Sequence, residues 1–264
     1  PLAKEGKAGP VLIVSALSSF VGSIFALAIL AFFAPKLADF ALTFGPFEYF
    51  ALMVFSLACA SGLSGKSVFR GLAAALIGIV ISMVGVDPQT SVHRFTFGSF
   101  NLLQGLDVVP IVVGLFGVTE ILQGIKDNLQ STFTGDSDFQ KVWPNKREIK
   151  LGAIGSAKGS VVGTALGILP GLTPSASTFI AYTLGNKTAV EKDRVGKGAI
   201  EGCAVAESAN NAAAVAGFIP LLALGIPTGP VLAIVLAALI IQGVIPGPLM
   251  FSTHLGLTAA VIAA

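Results

Sequence analysis

From Ser208 to Ala264 the chain carries no Lys, Arg, Asp or Glu. A charge-free run of that length must cross lipid or fold back within it. Composition points the same way, because charged residues make up 11% and hydrophobic residues 54% of the chain, against about 25% charged in soluble domains. The net charge of +2 comes from Lys and Arg scattered in short connections. That distribution argues against a nucleic-acid partner, which needs basic residues gathered on one face.

Val11 to Phe33 is uncharged over about 23 residues, enough at about 1.5 Å per residue to cross a hydrocarbon core of about 30 Å. Gly9-Pro10 is expected to start this span and Pro35 to stop it. Phe47 to Leu63, Leu72 to Val86 and Val108 to Ile125 read as further apolar segments, giving about four spans within residues 1–125.

Basic residues in the connections alternate, with Lys4 and Lys7, then Lys36, then Lys66 and Arg70, then Arg94. Lys126, Lys141, Lys146, Arg147 and Lys150 follow in a polar loop over residues 126–150. The positive-inside rule then puts Pro1 to Pro10, Gly65 to Arg70 and Lys126 to Lys150 in the cytoplasm. Pro35 to Pro46 and Asp87 to Asp107 face outward. The loop separates the early spans from a third part, residues 151–264.

That third part holds three similar interruptions, at Gly167 to Pro174, Gly225 to Pro230 and Gly243 to Pro248. Proline removes a backbone donor and clashes with the preceding turn, so each site should break a helix. In lipid an unpaired backbone polar group costs several kcal/mol, so broken chain belongs where it is buried in protein or lines a watery cavity. Transporters use such breaks as binding sites.

Lys158 precedes Pro170 by twelve residues and Lys187 follows Pro174 by thirteen. Each limb is then about 18 to 20 Å long, too short to cross alone. A re-entrant hairpin fits, and it returns Lys187, Lys192, Arg194 and Lys197 to the side of the Lys126 to Lys150 loop. The rival is one kinked span from Gly159 to Leu184. After Gly198 one span and a second hairpin both fit.

Glu207 lies ten residues beyond Lys197, or about 15 Å along a helix. An ionised carboxylate at that depth costs roughly 2.5 to 3.5 kcal/mol, which makes Glu207 a candidate functional residue. Asn210 and Asn211 share its helix face. With Ser208 they supply hard oxygen ligands suited to an alkali cation or to proton uptake. A polar strip gluing two helices is the structural alternative. At the first break Pro170, Gly171, Leu172, Thr173, Pro174 and Ser175 offer hydroxyls and free helix N-terminal amides to a carboxylate. Gly225, Pro227, Thr228 and Gly229 do so at the second.

Cys59 and Cys203 sit in apolar segments and are expected as free, small hydrophobes. His93 and His254 lack partners at metal-ligand spacing, and no nucleophile has an obvious base. Neither a metal, a cofactor nor an enzymatic activity is expected. The chain opens at Pro1 without an initiator Met and stops at Ala264 inside an apolar run, so it reads as a fragment of a longer protein.

Several segments carry a family resemblance: Lys7 to Pro10, Phe44 to Pro46 with Glu48-Tyr49-Phe50, and Arg94 to Gly98. Leu169-Pro170-Gly171-Leu172, Glu207 with Asn210-Asn211, Gly225-Ile226-Pro227 and Pro246-Gly247-Pro248 strengthen it. In this order the chain resembles the large membrane subunit, TctA, of the tripartite tricarboxylate transporter family over its whole length. The residues themselves read as an all-α, polytopic transmembrane helical bundle with broken helices and a re-entrant hairpin. The resemblance implies multi-pass residence in the bacterial inner membrane and uptake of a di- or tricarboxylate such as citrate, coupled to Na+ or H+. A periplasmic solute-binding protein and a small membrane subunit would be the partners.

This chain departs from the family pattern at Ala206 and Ser208, where Pro and Ala are usual, and at Thr228 and Gly229, where Gly and Ser are usual. The family also has an N-terminal region with its own Pro-Gly break, which nothing before Pro1 supplies. On this reading Glu207, Ser208, Asn210 and Asn211 serve the coupling cation. A channel or passive pore for small anions is the alternative function.

Overall fold

The structure, a computed structural model, describes residues 2, 7–63, 68–87, 90–126, 143–253, 256 and 260. Expectations placed on Pro1, Lys4, Gly65, Lys66 and 127–142, and on the side chains of Cys59, Lys126 and His254, lie outside them.

The chain is mostly helical. In order the helices are α1 (Ala8–Ala41), α2 (Pro46–Leu63), α3 (Val68–Ser82), α4 (Val108–Val112), α5 (Thr119–Lys126), α6 (Lys146–Gly167), α7 (Pro174–Lys187), α8 (Ile200–Ala216), α9 (Phe218–Leu224), α10 (Pro230–Ile241) and α11 (Met250–Thr253). A π-helical stretch, Val113–Val118, joins α4 to α5. Strands β1 (Gly85–Val86) and β2 (His93–Arg94) pair antiparallel.

Two compact units share these elements. One comprises Pro1–Thr43, Leu129–Gly229 and Pro246–Ala264, and the other Phe44–Asn128 and Pro230–Ile245. This differs from the consecutive division at 125 and 150, because long-range packing draws α1 onto α6 and α8.

In the first unit, α1 buries Pro10, Val14, Ser18, Gly22, Ala26, Leu30, Ala34 and Ala38, one residue every four. The large side chains point the other way, with Leu12 58%, Phe20 62% and Phe32 75% exposed. Small residues inside and large apolar residues outside is the arrangement of a helix solvated by lipid, where close backbone approach replaces hydrophobic burial as the packing force. Among the described residues, α1 alone is long and apolar enough to cross a membrane by length and composition. It also runs through Pro35 to Ala41. The expected stop at Pro35 is therefore incorrect: a single missing donor does not end a helix whose other bonds hold.

The α6–α8 seam is closer still. A Cβ built on Gly155, Gly159, Gly163 or Gly167 would lie 2.5, 2.2, 2.4 and 2.5 Å from the carbonyl oxygens of Glu201, Val205, Ala209 and Ala213 respectively. Each step of four in α6 matches a step of four in α8, so the two helices run parallel. Any larger residue would force the backbones apart. From α1, Gly22 meets the carbonyl oxygen of Ser208 in the same way, at 2.3 Å. Asn145 starts α6 with a capping box, accepting from the Glu148 N–H at 2.9 Å while its own N–H donates to Glu148 Oε2 at 3.0 Å.

In the second unit α2 packs on α3, and α10 packs on α4 and the π-helical stretch. The segment expected at Leu72 to Val86 is helical only to Ser82, since Gly85, at φ +126°, starts β1. Asp87 pairs with Arg94 across the short hairpin. Asp107 caps α4, accepting from the Val109 N–H at 3.0 Å.

Candidate functional site

All three proline-glycine interruptions break helices as expected, and the structure brings them together. The first separates α6 from α7, with Gly171 at φ +83°. Thr173 caps the new helix, accepting from the Ala176 N–H at 3.3 Å, and Pro174 occupies its first position, where no donor is needed. The second ends α9 at Gly225, which adopts φ +72° and donates to the Leu221 carbonyl at 2.9 Å. The third contains Gly247, at φ +155°.

Specific contacts join them. Gly171 N–H donates to the Thr228 carbonyl at 3.1 Å, tying the first break to the second. Gly247 N–H donates to the Leu222 carbonyl at 3.0 Å, and a Cβ on Gly225 would stand 2.9 Å from the Pro246 carbonyl oxygen. Thr228 and Leu172 are buried, Pro170, Gly171, Thr173, Pro174, Gly225, Pro227 and Gly229 are half-buried, and Ser175 is exposed.

Two hydroxyls flank this junction without a partner among the described residues: Thr164 Oγ1 on α6 and Ser177 Oγ on α7. Ser177 is 0% exposed. An unsatisfied buried hydroxyl costs about 1–3 kcal/mol. Thr164 continues a row of Ser156 and Ser160 at helical spacing. Ser156 Oγ donates to Ser18 Oγ of α1 at 2.8 Å, and Ser160 Oγ to the Ser156 carbonyl at 2.6 Å. The every-fourth-residue spacing is visible in the sequence, yet reading from the breaks alone missed it.

Glu207 is half-buried on α8, and Ser19 Oγ of α1 donates to its Oε2 at 3.3 Å. Asn211 Nδ2 donates to the Glu207 backbone carbonyl at 3.1 Å, and Asn210 is exposed. Ser208 does not join this group, which corrects the expectation of a four-residue cluster. Successive helical residues point about 100° apart, and Ser208 Oγ turns into the α6 seam, donating to the Ala204 carbonyl at 2.7 Å. Its place is taken by Ser19, from a helix that the sequence reading had treated only as a span.

The α6–α7 limbs turn back on one another. Lys158 Nζ donates to the Thr188 carbonyl at 2.7 Å and to Glu201 Oε1 at 2.7 Å. A single kinked span from Gly159 to Leu184 would hold Lys158 and Thr188 far apart. Glu201, 2% exposed, also accepts from the Val190 N–H at 2.8 Å, so one carboxylate fixes the return of the hairpin to α8.

Beyond that clamp, Lys7 Nζ bonds Glu148 Oε1 at 2.8 Å, and Arg147 bonds Glu191 Oε1 at 2.6 Å. Burial acts to raise the Glu148 pKa, but the Lys7 bond, the Asn145 N–H and the nearby Lys7 and Arg194 charges outweigh it and hold the carboxyl below its ordinary range. Charged groups thus close one end of the first unit.

Free amides, hydroxyls and glycine backbone at the break junction suit an anion's oxygens, while Glu207 with Ser19 suits a proton or cation. Among the described residues no group of three His, Cys, Asp or Glu stands where it would hold a metal.

The family model described as Tripartite tricarboxylate transporter TctA family matches residues 1–264. A protein of Agrobacterium vitis named "Uncharacterized 52.8 kDa protein in TAR-I ttuC' 3'region" is 39% identical over 262 residues, 99% of this chain and 52% of that protein. Another from the same organism, "Uncharacterized protein in TAR-II ttuC' 3'region", is 45% identical over 101 residues, 38% of this chain and 42% of that protein. The chain therefore spans about half the length of the first of these relatives. No solved structure matches.

Proposed function

We propose a carboxylate-carrier role from one premise: the chain belongs to the tripartite tricarboxylate transporter TctA family, a family of transporter subunits and not of enzymes. The solute is a di- or tricarboxylate, moved by alternating access across the bacterial inner membrane by a multi-pass protein. A periplasmic solute-binding protein delivers it, and a small membrane subunit completes the assembly. The observation that carries this reading is the 3.1 Å bond between Gly171 N–H and the Thr228 carbonyl. It joins two interrupted helices into one patch of polar backbone, the feature a charged solute requires in lipid.

In this mechanism Pro170 to Ser175 and Gly225 to Gly229 receive the carboxylate oxygens. Helix α7 presents its N-terminal dipole to the anion. Glu207, with Ser19, Asn210 and Asn211, takes up the coupling Na+ or H+. Ionised Glu207 is costly in lipid, so loading it with a cation lowers the cost of moving the site.

The test is gradient-driven uptake by the full-length parent, with its binding protein, in membrane vesicles. Glu207→Gln abolishes accumulation while Glu48→Gln, outside this site, retains it. Equal accumulation in the two variants overturns the role of Glu207. Uptake that neither saturates nor follows a gradient points instead to a pore.

A further inference from the structure

The outer face of the α6–α7 hairpin carries a groove of about 610 Å³. Val161, Val162, Ala181, Leu184 and Gly185 form its apolar floor, while Lys158, Lys187 and Thr188 stand together at one end. The segregation follows from the hairpin. Lys158 and Thr188 meet where the chain leaves α7, and Val162 and Ala181 pack together further toward the break.

The two lysines differ. Lys158 is neutralised by Glu201 and bonded to the Thr188 carbonyl. Lys187 is exposed and has no ion-pair partner among the described residues. The groove therefore presents one uncompensated cation at the mouth of an apolar channel whose wall residues Val161 and Leu184 are 56% and 45% exposed.

From this charge complementarity we propose that the groove holds one anionic phospholipid, its phosphate on Lys187 and an acyl chain along Val161, Val162 and Leu184. A long apolar tail matches the floor, and an anionic head matches the one open charge. Snorkelling places a lysine head at headgroup depth while its stem lines the apolar channel. The bound lipid lies along both limbs of the hairpin, and so sets how freely α6 and α7 separate. This goes beyond the carrier reading, since it depends on the membrane setting of the hairpin and not on the solute or the coupling ion.

Native mass spectrometry of the full-length parent tests it, after incubation with mixed micelles of palmitoyl-oleoyl phosphatidylglycerol or palmitoyl-oleoyl phosphatidylcholine. Phosphatidylglycerol is retained in preference, and Lys187→Gln removes about fivefold of that preference, the worth of one basic group near an anionic surface. Val161→Trp fills the groove and lowers retention of both lipids, whereas Lys150→Gln changes neither. Unchanged melting temperatures establish that the variants fold. Equal retention of both lipids by the parent, or an unaltered preference in Lys187→Gln, overturns the proposal. So does photocrosslinking from position 161 of the intact complex to a partner subunit instead of to lipid. Uptake assays on the same variants keep this result separate from the fate of Glu207.

Discussion

Gly159 of α6 lies so close to Val205 of α8 that a Cβ on the glycine would stand 2.2 Å from the valine carbonyl oxygen. The neighbour is backbone, which cannot swing aside like a flexible side chain. Gly159→Ala and Gly163→Ala therefore destabilise the protein by about 1–3 kcal/mol each, the usual penalty of overpacking. Gly78→Ala on α3, where nothing lies within 4 Å, causes no loss. Thermal denaturation in detergent distinguishes the sites.

Removing the Lys158 side chain leaves Glu201 buried without its counter-charge. Lys158→Met is expected to cost about 3 kcal/mol. The double variant Lys158→Met with Glu201→Gln recovers part of that loss, because both charges are then absent. A double-mutant cycle on melting free energies measures the coupling, and additive effects would show that the clamp is not a unit.

The Glu148 carboxyl, held below its ordinary range by Lys7 and the Asn145 N–H, links folding to acid. Its folded pKa is lower than its unfolded value of about 4.3. The stabilisation is thus fully present above that value and is lost as the pH falls through the folded pKa. Stability measured from pH 7 to pH 3 falls more steeply for the native protein than for Glu148→Gln.

Gly225 needs both its left-handed backbone, at φ +72°, and the space beside Pro246. Gly243, at φ +76°, needs only the backbone conformation. Gly243→Ala costs about 1–2 kcal/mol. Gly225→Ala costs more than that and also abolishes uptake, because it pushes the second and third breaks apart. Comparing stability with uptake for the two variants separates strain from crowding.

Ser19 Oγ of α1 donates to Glu207 Oε2 at 3.3 Å, which brings it into the proposed coupling site. Ser19→Ala weakens the apparent affinity for the coupling cation by about threefold to tenfold, the worth of a modest bond to a charged group. The half-saturating carboxylate concentration at saturating cation stays unchanged. Cation titrations of uptake read the difference.

The helix breaks were legible because Pro and Gly act locally: Pro174 and Gly225 announce a helix start and a helix end to any reader of the chain. Their meeting was not, since Gly171 and Thr228 are far apart in sequence and nothing in either segment names the other. The turn of the hairpin could be reached from charge, as Lys158 and Lys187 bracket the break. Pro35 misled because its effect depends on the rest of the ladder, which a local rule does not see. Ser208 misled for a related reason: residue type nominates a ligand, but only the angle about the helix decides whether it faces Glu207 or Gly159. Ser19 escaped notice because a lone serine in an apolar run has no local signature.

Helix α1 has one more consequence. Its charge-free portion, residues 8–35, measures about 42 Å along the axis, while the hydrocarbon of a typical bilayer is about 30 Å thick. As a span, the rod takes up the excess by leaning. Because Gly22 and Ser19 key that rod into α8, its inclination is transmitted to the carboxylate of Glu207. Lipid tail length thereby becomes a mechanical input to the setting of Glu207, the carboxylate that the proposed carrier uses for its coupling ion.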